Sequence, residues 1–131
     1  MPAALLDLSM DFAVKTVAYS ITLRKFNEPS LSDHIFRSGT SIGAKLAEAQ
    51  HAQDKADFLQ NVKAAAEHSV DFKYWLTLCE RSPLLPGNDQ MQREIEVIGR
   101  VLRQMIQSSS TSRERSKLNI QSPHIEHSTS S

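Results

Sequence analysis

Glu48 and His51, three residues apart, form the pattern in this chain that comes nearest to a metal-binding motif. Residues at i and i+3 of a helix share one face, and di-iron helical bundles use Glu-x-x-His pairs as ligands. Those sites also need a second such pair and a glutamate from each of two further helices. The sequence offers no second pair, and the predicted first helix supplies only Asp7 and Asp11 as carboxylates. We therefore predict no metal and no cofactor.

A second group of polar residues is expected between the second and third helices. Its members are Arg37, Lys45, Glu48, Glu67, His68 and Asp71. Two interpretations are open: a small polar binding site, or ion pairs between helices or subunits that fix their register. The ion-pair interpretation is favoured, since polar residues between the helices of a bundle can specify register.

Basic residues towards the C-terminal end are the candidates for contact with nucleic acid. They are Arg93, Arg100, Arg103, Arg113, Arg115 and Lys117. The first three are spaced by seven and three residues, which places them on one face of a helix. The alternative is a solvated face balanced by Glu94 and Glu96. The overall balance of 15 basic and 15 acidic residues favours that alternative.

The remaining reactive and aromatic side chains fit a core or an interface better than a catalytic site. Cys79 continues an apolar stripe without a neighbouring base in the sequence, so it is predicted to be a buried core residue. Tyr74 and Trp75 could stack on bases, but their helical spacing favours packing in the core or at a subunit interface. We predict no catalytic residue and no enzyme activity.

The composition is that of one ordinary globular domain. The chain has 131 residues and a mass of 14.7 kDa, with 40% hydrophobic and 23% charged residues. Its single cysteine excludes an intramolecular disulfide and suits a reducing compartment, so we expect a cytoplasmic protein. No apolar run exceeds four residues, which predicts no membrane-spanning helix and no membrane partner.

Apolar periodicity predicts an all-α fold of four helices. The expected helices span about residues 5–26, 32–51, 54–81 and 89–108. Short connections between amphipathic helices imply an antiparallel, up-down-up-down bundle over residues 1–107. Nine of the last 24 residues are serine. Residues 108–131 are therefore predicted to be a mostly disordered tail, with room for a short helix near its start.

Helix caps and apolar stripes carry further predictions. Ser30 or Ser32 is expected to cap the second helix, and Asp54 the third. A second apolar stripe on the first helix, between Val14 and Ile21, predicts burial against another subunit. The third helix has a stripe with alternating spacings of four and three residues, formed by Phe58, Val62, Ala65, Ser69, Phe72, Leu76 and Cys79.

Two glycines lie inside the predicted second helix. Gly39 and Gly43 each cost about 1 kcal/mol there relative to alanine. Close approach of a neighbouring helix would compensate for this cost. We therefore expect Gly43→Leu to destabilise the bundle or its oligomer through overpacking.

The second helix also carries a longer motif, RSGTSIGA at residues 37–44, followed by AEA at 47–49. Further along the chain come KADF at 55–58 and YWL at 74–76. In these segments, and over residues 8–106 as a whole, the chain resembles the bacterial four-helix bundle proteins, also called 23S rRNA intervening-sequence proteins. The resemblance implies a left-handed antiparallel bundle that assembles as a ring-shaped homopentamer. It also implies a relation to accessory proteins of diversity-generating retroelements, which engage nucleic acid and a reverse transcriptase.

The chain departs from that family pattern at several charged positions. Lys45 replaces the usual asparagine, His68 and Asp71 replace two glutamates, and Glu67 replaces a lysine. The charged surface therefore differs from that of the relatives. The leading hypothesis is a non-enzymatic, homo-oligomeric scaffold or adaptor. The alternative is an rRNA- or retroelement-associated factor whose partners are RNA, DNA or a reverse transcriptase.

Overall fold

The computed structural model describes residues 1–121, with side chains described through residue 109. Within these residues the fold is all-α, with four helices and no strand. They are α1 (Ala3–Lys25), α2 (Pro29–Gln50), α3 (Lys55–Arg81) and α4 (Asp89–Gln121). The prediction of a four-helix, all-α chain is confirmed for this part of the protein.

The turn between α1 and α2 differs from the sequence prediction. The carbonyls of Leu23 and Arg24 accept from the backbone N–H groups of Glu28 and Asn27, and Asn27 has a φ of 61°. This is a Schellman-type end, where asparagine tolerates the left-handed backbone. The chain then enters α2 directly at Pro29, whose fixed φ suits a first helical position.

The predicted serine cap of α2 is wrong. Ser30 lies inside the first turn of the helix, and no side chain caps α2. Ser32 is buried, and its hydroxyl donates to the carbonyl oxygen of Ser20 on α1 at 2.7 Å. The serine therefore joins two helices instead of starting one, because Pro29 already begins the helix upstream.

At each of the other two turns, a side chain caps the start of the next helix. Asp54 caps α3 as predicted, and its carboxylate accepts from the backbone N–H of Asp57 at 2.8 Å. The side chain of Asn88 accepts from the N–H of Met91 at 3.0 Å at the start of α4. The phenol of Tyr19 donates to the carbonyl oxygen of Pro86 at 2.7 Å, which ties the last loop to α1.

The end of α4 differs more from the sequence prediction than any other helix boundary does. The sequence predicted an end near residue 108, and the structure continues the helix to Gln121. Extending a formed helix requires no new nucleus, so a serine-rich segment of middling propensity can follow one. The rest of the predicted tail, residues 122–131, lies outside the described residues.

One hydrophobic core joins the four helices. α1 packs mainly on α2, α2 on α3 and α3 on α4, whereas α1 and α4 meet at fewer positions. Phe12 of α1 and Phe72 of α3 meet edge to face with ring centroids 4.8 Å apart, and both are fully buried. Each such side chain contributes about 1.5–3 kcal/mol by its burial. The core therefore reaches across the bundle between helices that are not direct neighbours.

The predicted stripe on α3 is confirmed from Val62 to Cys79, where all six of its members are buried. Its first member is different: Leu59 is buried, and Phe58 packs against the core with its ring partly exposed. No described helix is both long and apolar enough to cross a membrane.

Candidate functional site

The structure brings together three of the predicted polar residues at the junction of α2 and α3. Arg37 of α2 and His68 and Asp71 of α3 line a small open pocket of about 130 Å³. His34, Ser38 and Trp75 complete its lining. The pocket combines a cation, a carboxylate and two imidazoles, so it could accept only a small polar group.

An aromatic stack supports one side of this pocket. The imidazole of His34 lies on the indole of Trp75 with ring centroids 4.0 Å apart and planes 16° from parallel. The phenol ring of Tyr74 meets the indole of Trp75 edge-on, with ring centroids 5.0 Å apart. Trp75 is half-buried and Tyr74 is exposed. The stack holds the pocket residues of α2 against α3.

The other three members of the predicted polar group are not part of the pocket. Lys45 and Glu48 pair with each other along α2 at 3.4 Å, and Glu67 is exposed on α3. Such an exposed pair within one helix contributes little to stability. The structure therefore splits the predicted group into a pocket and separate surface charges.

Neither the Glu48–His51 pair nor Cys79 belongs to a cluster of possible metal ligands in the described residues. No group of three His, Cys, Asp or Glu side chains is arranged to hold a metal ion there. His51 lies in the turn after α2, whereas Glu48 faces Lys45. Cys79 is fully buried, as predicted, and burial raises the pKa of its thiol. Burial likewise raises the pKa of Tyr19, which contacts this thiol.

The two glycines of α2 lie against α1 at different distances. A Cβ at Gly39 would lie within 2.9 Å of three side-chain atoms of Thr16, which is fully buried. A Cβ at Gly43 would lie 3.4 Å from the hydroxyl of Ser9, an ordinary contact. Close approach of the helices therefore requires glycine at position 39 and leaves room for a methyl group at position 43.

Two rows of large apolar side chains face outwards, away from the core. The row on α1 consists of Met10, Val14, Val17 and Ile21, which are 39–64% exposed. The row on α3 consists of Val70, Tyr74 and Leu78, which are 45–61% exposed. Scattered apolar residues are normal on a surface, but a row in helical register is characteristic of an interaction face.

Beside the α1 row, an apolar groove runs between α1 and α2. Its volume is about 540 Å³, and small residues give it its depth. They are Ala13 on α1 and Gly43, Ala44 and Ala47 on α2. Asp7 lines one part of the groove.

The three arginines of α4 whose side chains are described are all exposed, and none forms a salt bridge with a described residue. They are Arg93, Arg100 and Arg103. The glutamates that the sequence offered as their counterions pair elsewhere: Glu94 with Lys15 of α1 at 2.5 Å, and Glu96 with Lys73 of α3. The hydrogen bond from Lys73 lowers the pKa of Glu96, with smaller contributions from the nearby arginines.

The other predicted basic contacts are Arg113, Arg115 and Lys117. They lie on the α4 backbone beyond the residues whose side chains are described.

Sequence patterns did not single out the groove, the α3 row or the His34–Trp75 stack. The α3 row had a signal, because Val70, Tyr74 and Leu78 recur every four residues opposite the buried stripe. The groove and the stack depend on which helices become neighbours, and spacing within one helix does not contain that information.

These features define a class of protein: a small all-α chain with a tight α1–α2 contact, exposed apolar rows and a polar pocket without a metal-ligand set in the described residues. The family profile of the 23S rRNA-intervening sequence proteins matches residues 4–108, and the chain belongs to this family. A crystal structure from Bacteroides thetaiotaomicron VPI-5482, of an S23 ribosomal protein family member of unknown function, is similar at 32% identity. The match covers 79% of this chain and 96% of that one, with a TM-score of 0.72. Comparison with curated proteins finds no match.

Proposed function

We propose that this protein is a non-enzymatic, homo-oligomeric scaffold or adaptor that acts in the cytoplasm. Its unit is an antiparallel, up-down-up-down, left-handed four-helix bundle, and its assembly is a homopentamer, as the family resemblance implies. The observation that carries the proposal is the α1 row, four large apolar side chains in a 4-3-4 register that remain 39–64% exposed. Burying such a row against another copy removes apolar surface from water at about 25 cal/mol per Å².

Chromatography with light scattering tests this proposal directly. The wild-type protein should elute at about five times the chain mass of 14.7 kDa. Val14→Glu places a charge in the row at a side chain that is 63% exposed, so the monomer should still fold. We expect this variant to lose the oligomer, because a buried unpaired charge is costly at an interface.

Leu84→Glu is the matched control for Val14→Glu. Leu84 is 81% exposed in the loop between α3 and α4, outside both apolar rows. This variant should keep the wild-type mass. A wild-type protein that elutes as a monomer at micromolar concentration would contradict the proposal.

A second candidate is a nucleic-acid-binding accessory factor, with RNA, DNA or a retroelement reverse transcriptase as its partner. It is supported by the exposed α4 arginines, whose expected counterions are paired with lysines of other helices. In an oligomer each set of three arginines is repeated, so weak contacts gain from effective concentration.

Salt dependence distinguishes this candidate from the first. Binding of an rRNA fragment through three phosphate contacts should weaken roughly 20- to 40-fold between about 50 and about 200 mM salt. Arg100→Gln with Arg103→Gln should reduce that dependence. Arg24→Gln, which removes a residue paired with Asp33 on another helix, should leave it unchanged. Binding that is the same at both salt concentrations would rule out the electrostatic mechanism.

A further inference from the structure

The pocket between α2 and α3 is lined by a cation and an anion that do not pair with each other. Arg37 of α2 and Asp71 of α3 both line it, and neither forms a salt bridge within the described part of the chain. Both side chains are exposed, so each is accessible to a ligand. The pocket therefore presents hydrogen-bond donors from one helix and charged acceptors from the other.

The surrounding charges keep this polarity. The other Asp, Glu, Lys and Arg residues of α2 are already paired: Asp33 with Arg24, and Lys45 with Glu48. On α3, Glu67 is exposed and unpaired one turn before Asp71, so it adds to the negative side. A simple anion would be repelled by these two carboxylates, and a simple cation by Arg37. The site suits a ligand that carries both charges.

The uncharged groups of the pocket fit the same kind of ligand. Ser38 is buried, and its hydroxyl donates to the carbonyl oxygen of His34 at 2.7 Å, so its oxygen can only accept from the pocket. It is therefore a second acceptor for a positively charged amine. The indole of Trp75, held by its stack with His34, forms an apolar wall for a small aliphatic group.

The volume of the pocket limits the ligand to a few atoms. An apolar cavity of about 150 Å³ accommodates one benzene molecule. The pocket measures about 130 Å³. Alanine, which has as many non-hydrogen atoms as benzene, is of this size and carries a carboxylate and an ammonium group on one carbon.

We infer that this pocket binds a small zwitterion of the α-amino acid class, for which alanine is the model. The carboxylate of the ligand accepts from the guanidinium of Arg37, and its ammonium group donates to Asp71 and to the oxygen of Ser38. Its methyl group lies against Trp75. All these residues belong to one chain, so the site goes beyond the proposed scaffold function and does not depend on the oligomeric state.

The fluorescence of Trp75 reports on the pocket, because this residue is the single tryptophan of the chain. Titration of the full chain with alanine should give a saturable change, with half-saturation in the millimolar range that suits so small a ligand. Acetate and methylammonium each carry one of the two charges. At constant ionic strength, each should bind at least about tenfold more weakly than alanine.

These three probes test the inference without any substitution. No saturable change up to about 100 mM alanine would overturn it. Acetate or methylammonium binding as tightly as alanine would also overturn it, because the site would then recognise a single charge.

Two substitutions locate the two charges. In Asp71→Asn, alanine should bind no more tightly than acetate, because the charged contact with Arg37 alone remains. In Arg37→Gln, alanine should bind no more tightly than methylammonium. Both substituted side chains are exposed, so circular dichroism should show wild-type helix content.

Arg81→Gln and Asp11→Asn are the matched controls. Both residues are exposed, form no salt bridge with a described residue and lie outside the pocket. These variants should bind alanine with the wild-type affinity. If folded Arg37→Gln and Asp71→Asn also keep that affinity, alanine binds elsewhere and the inference is wrong.

Discussion

Small hydroxyl side chains fill the contact between α1 and α2. Ser9 donates to the carbonyl oxygen of Leu6 at 2.9 Å, and Thr16 donates to that of Phe12 at the same distance. Ser20 likewise bonds to the carbonyl oxygen of Val17 in its own helix. Each of these hydroxyls is satisfied within its own helix, and that of Ser32 by a carbonyl of α1, so the two helices can approach closely without leaving these groups unpaired.

Cys79 and Tyr19 form the buried ionisable pair of the core, and their environment predicts sensitivity to alkali. Burial raises the pKa of both groups, so the folded state holds their protons more tightly than the unfolded chain. This contribution to stability is complete below the thiol's unfolded pKa of about 8.5. It is lost as pH rises towards the raised folded value. The free energy of unfolding from urea titrations should therefore fall between about pH 8 and pH 10.

Cys79→Ala provides the control for this pH dependence. The variant loses stability at every pH, because a buried side chain becomes smaller. Its decline above pH 8 should be shallower, since only Tyr19 then contributes. An equally steep decline in both proteins would show that Cys79 is not responsible.

At the scale of the element, the two glycines of α2 predict opposite effects of the same substitution. Gly43→Ala should raise the free energy of unfolding by up to about 1 kcal/mol, because alanine is the better helix former and its methyl group fits. Gly39→Ala should lower it by about 1–3 kcal/mol, because the new Cβ overlaps Thr16. Thermal or urea unfolding of the two variants measures both changes.

Thr16→Ala provides the check on this mechanism. It removes the two side-chain atoms nearest to the new methyl group. Combined with Gly39→Ala it should therefore destabilise less than the sum of the two single changes. If the two losses of stability simply add, the cost of Gly39→Ala does not come from overlap with Thr16. Gly43→Leu differs from Gly43→Ala, because its larger side chain would enter the groove that Gly43 lines. We therefore expect this substitution to affect the oligomer more than the bundle itself.

Periodicity predicted what each helix does by itself, and packing decided the rest. The buried stripe from Val62 to Cys79 was predictable because it follows from spacing along one helix. The burial of Leu59 in place of Phe58 was not predictable from the sequence. Both residues lie at the start of α3, and contact with the neighbouring helices decides which of them is buried. The pocket residues Arg37, His68 and Asp71 were identified from the sequence as a group. Their partner His34 was missed because the stack with Trp75 joins two helices.

At the scale of the whole molecule, the contact between α1 and α4 is the sparsest of the four. The pair of Lys15 and Glu94 crosses it, with both side chains partly exposed. Partly exposed pairs of this kind contribute little stability. The bundle therefore depends on its other three contacts and, in the proposed assembly, on neighbouring copies.

A protein stabilised by its own assembly melts at a temperature that depends on its concentration. The melting temperature of the wild-type protein should rise with protein concentration, because mass action favours the folded oligomer. Val14→Glu, with its charge in the α1 row, should remove this dependence while leaving a cooperative transition. A melting temperature that is the same over a hundredfold range of concentration would indicate that assembly and folding are not coupled.

The order of helix contacts also governs how fast the chain finds its fold. Each extensive contact joins helices that follow one another in the sequence through a short turn, so few long loops must close. Proteins with such local contacts fold in microseconds to milliseconds. The groove and the α3 row both lie on the first three helices, which leave the ribosome before α4 does. A growing chain therefore carries both surfaces before α4 is complete. In the proposed assembly, the encounter of two chains is then expected to be the slow step.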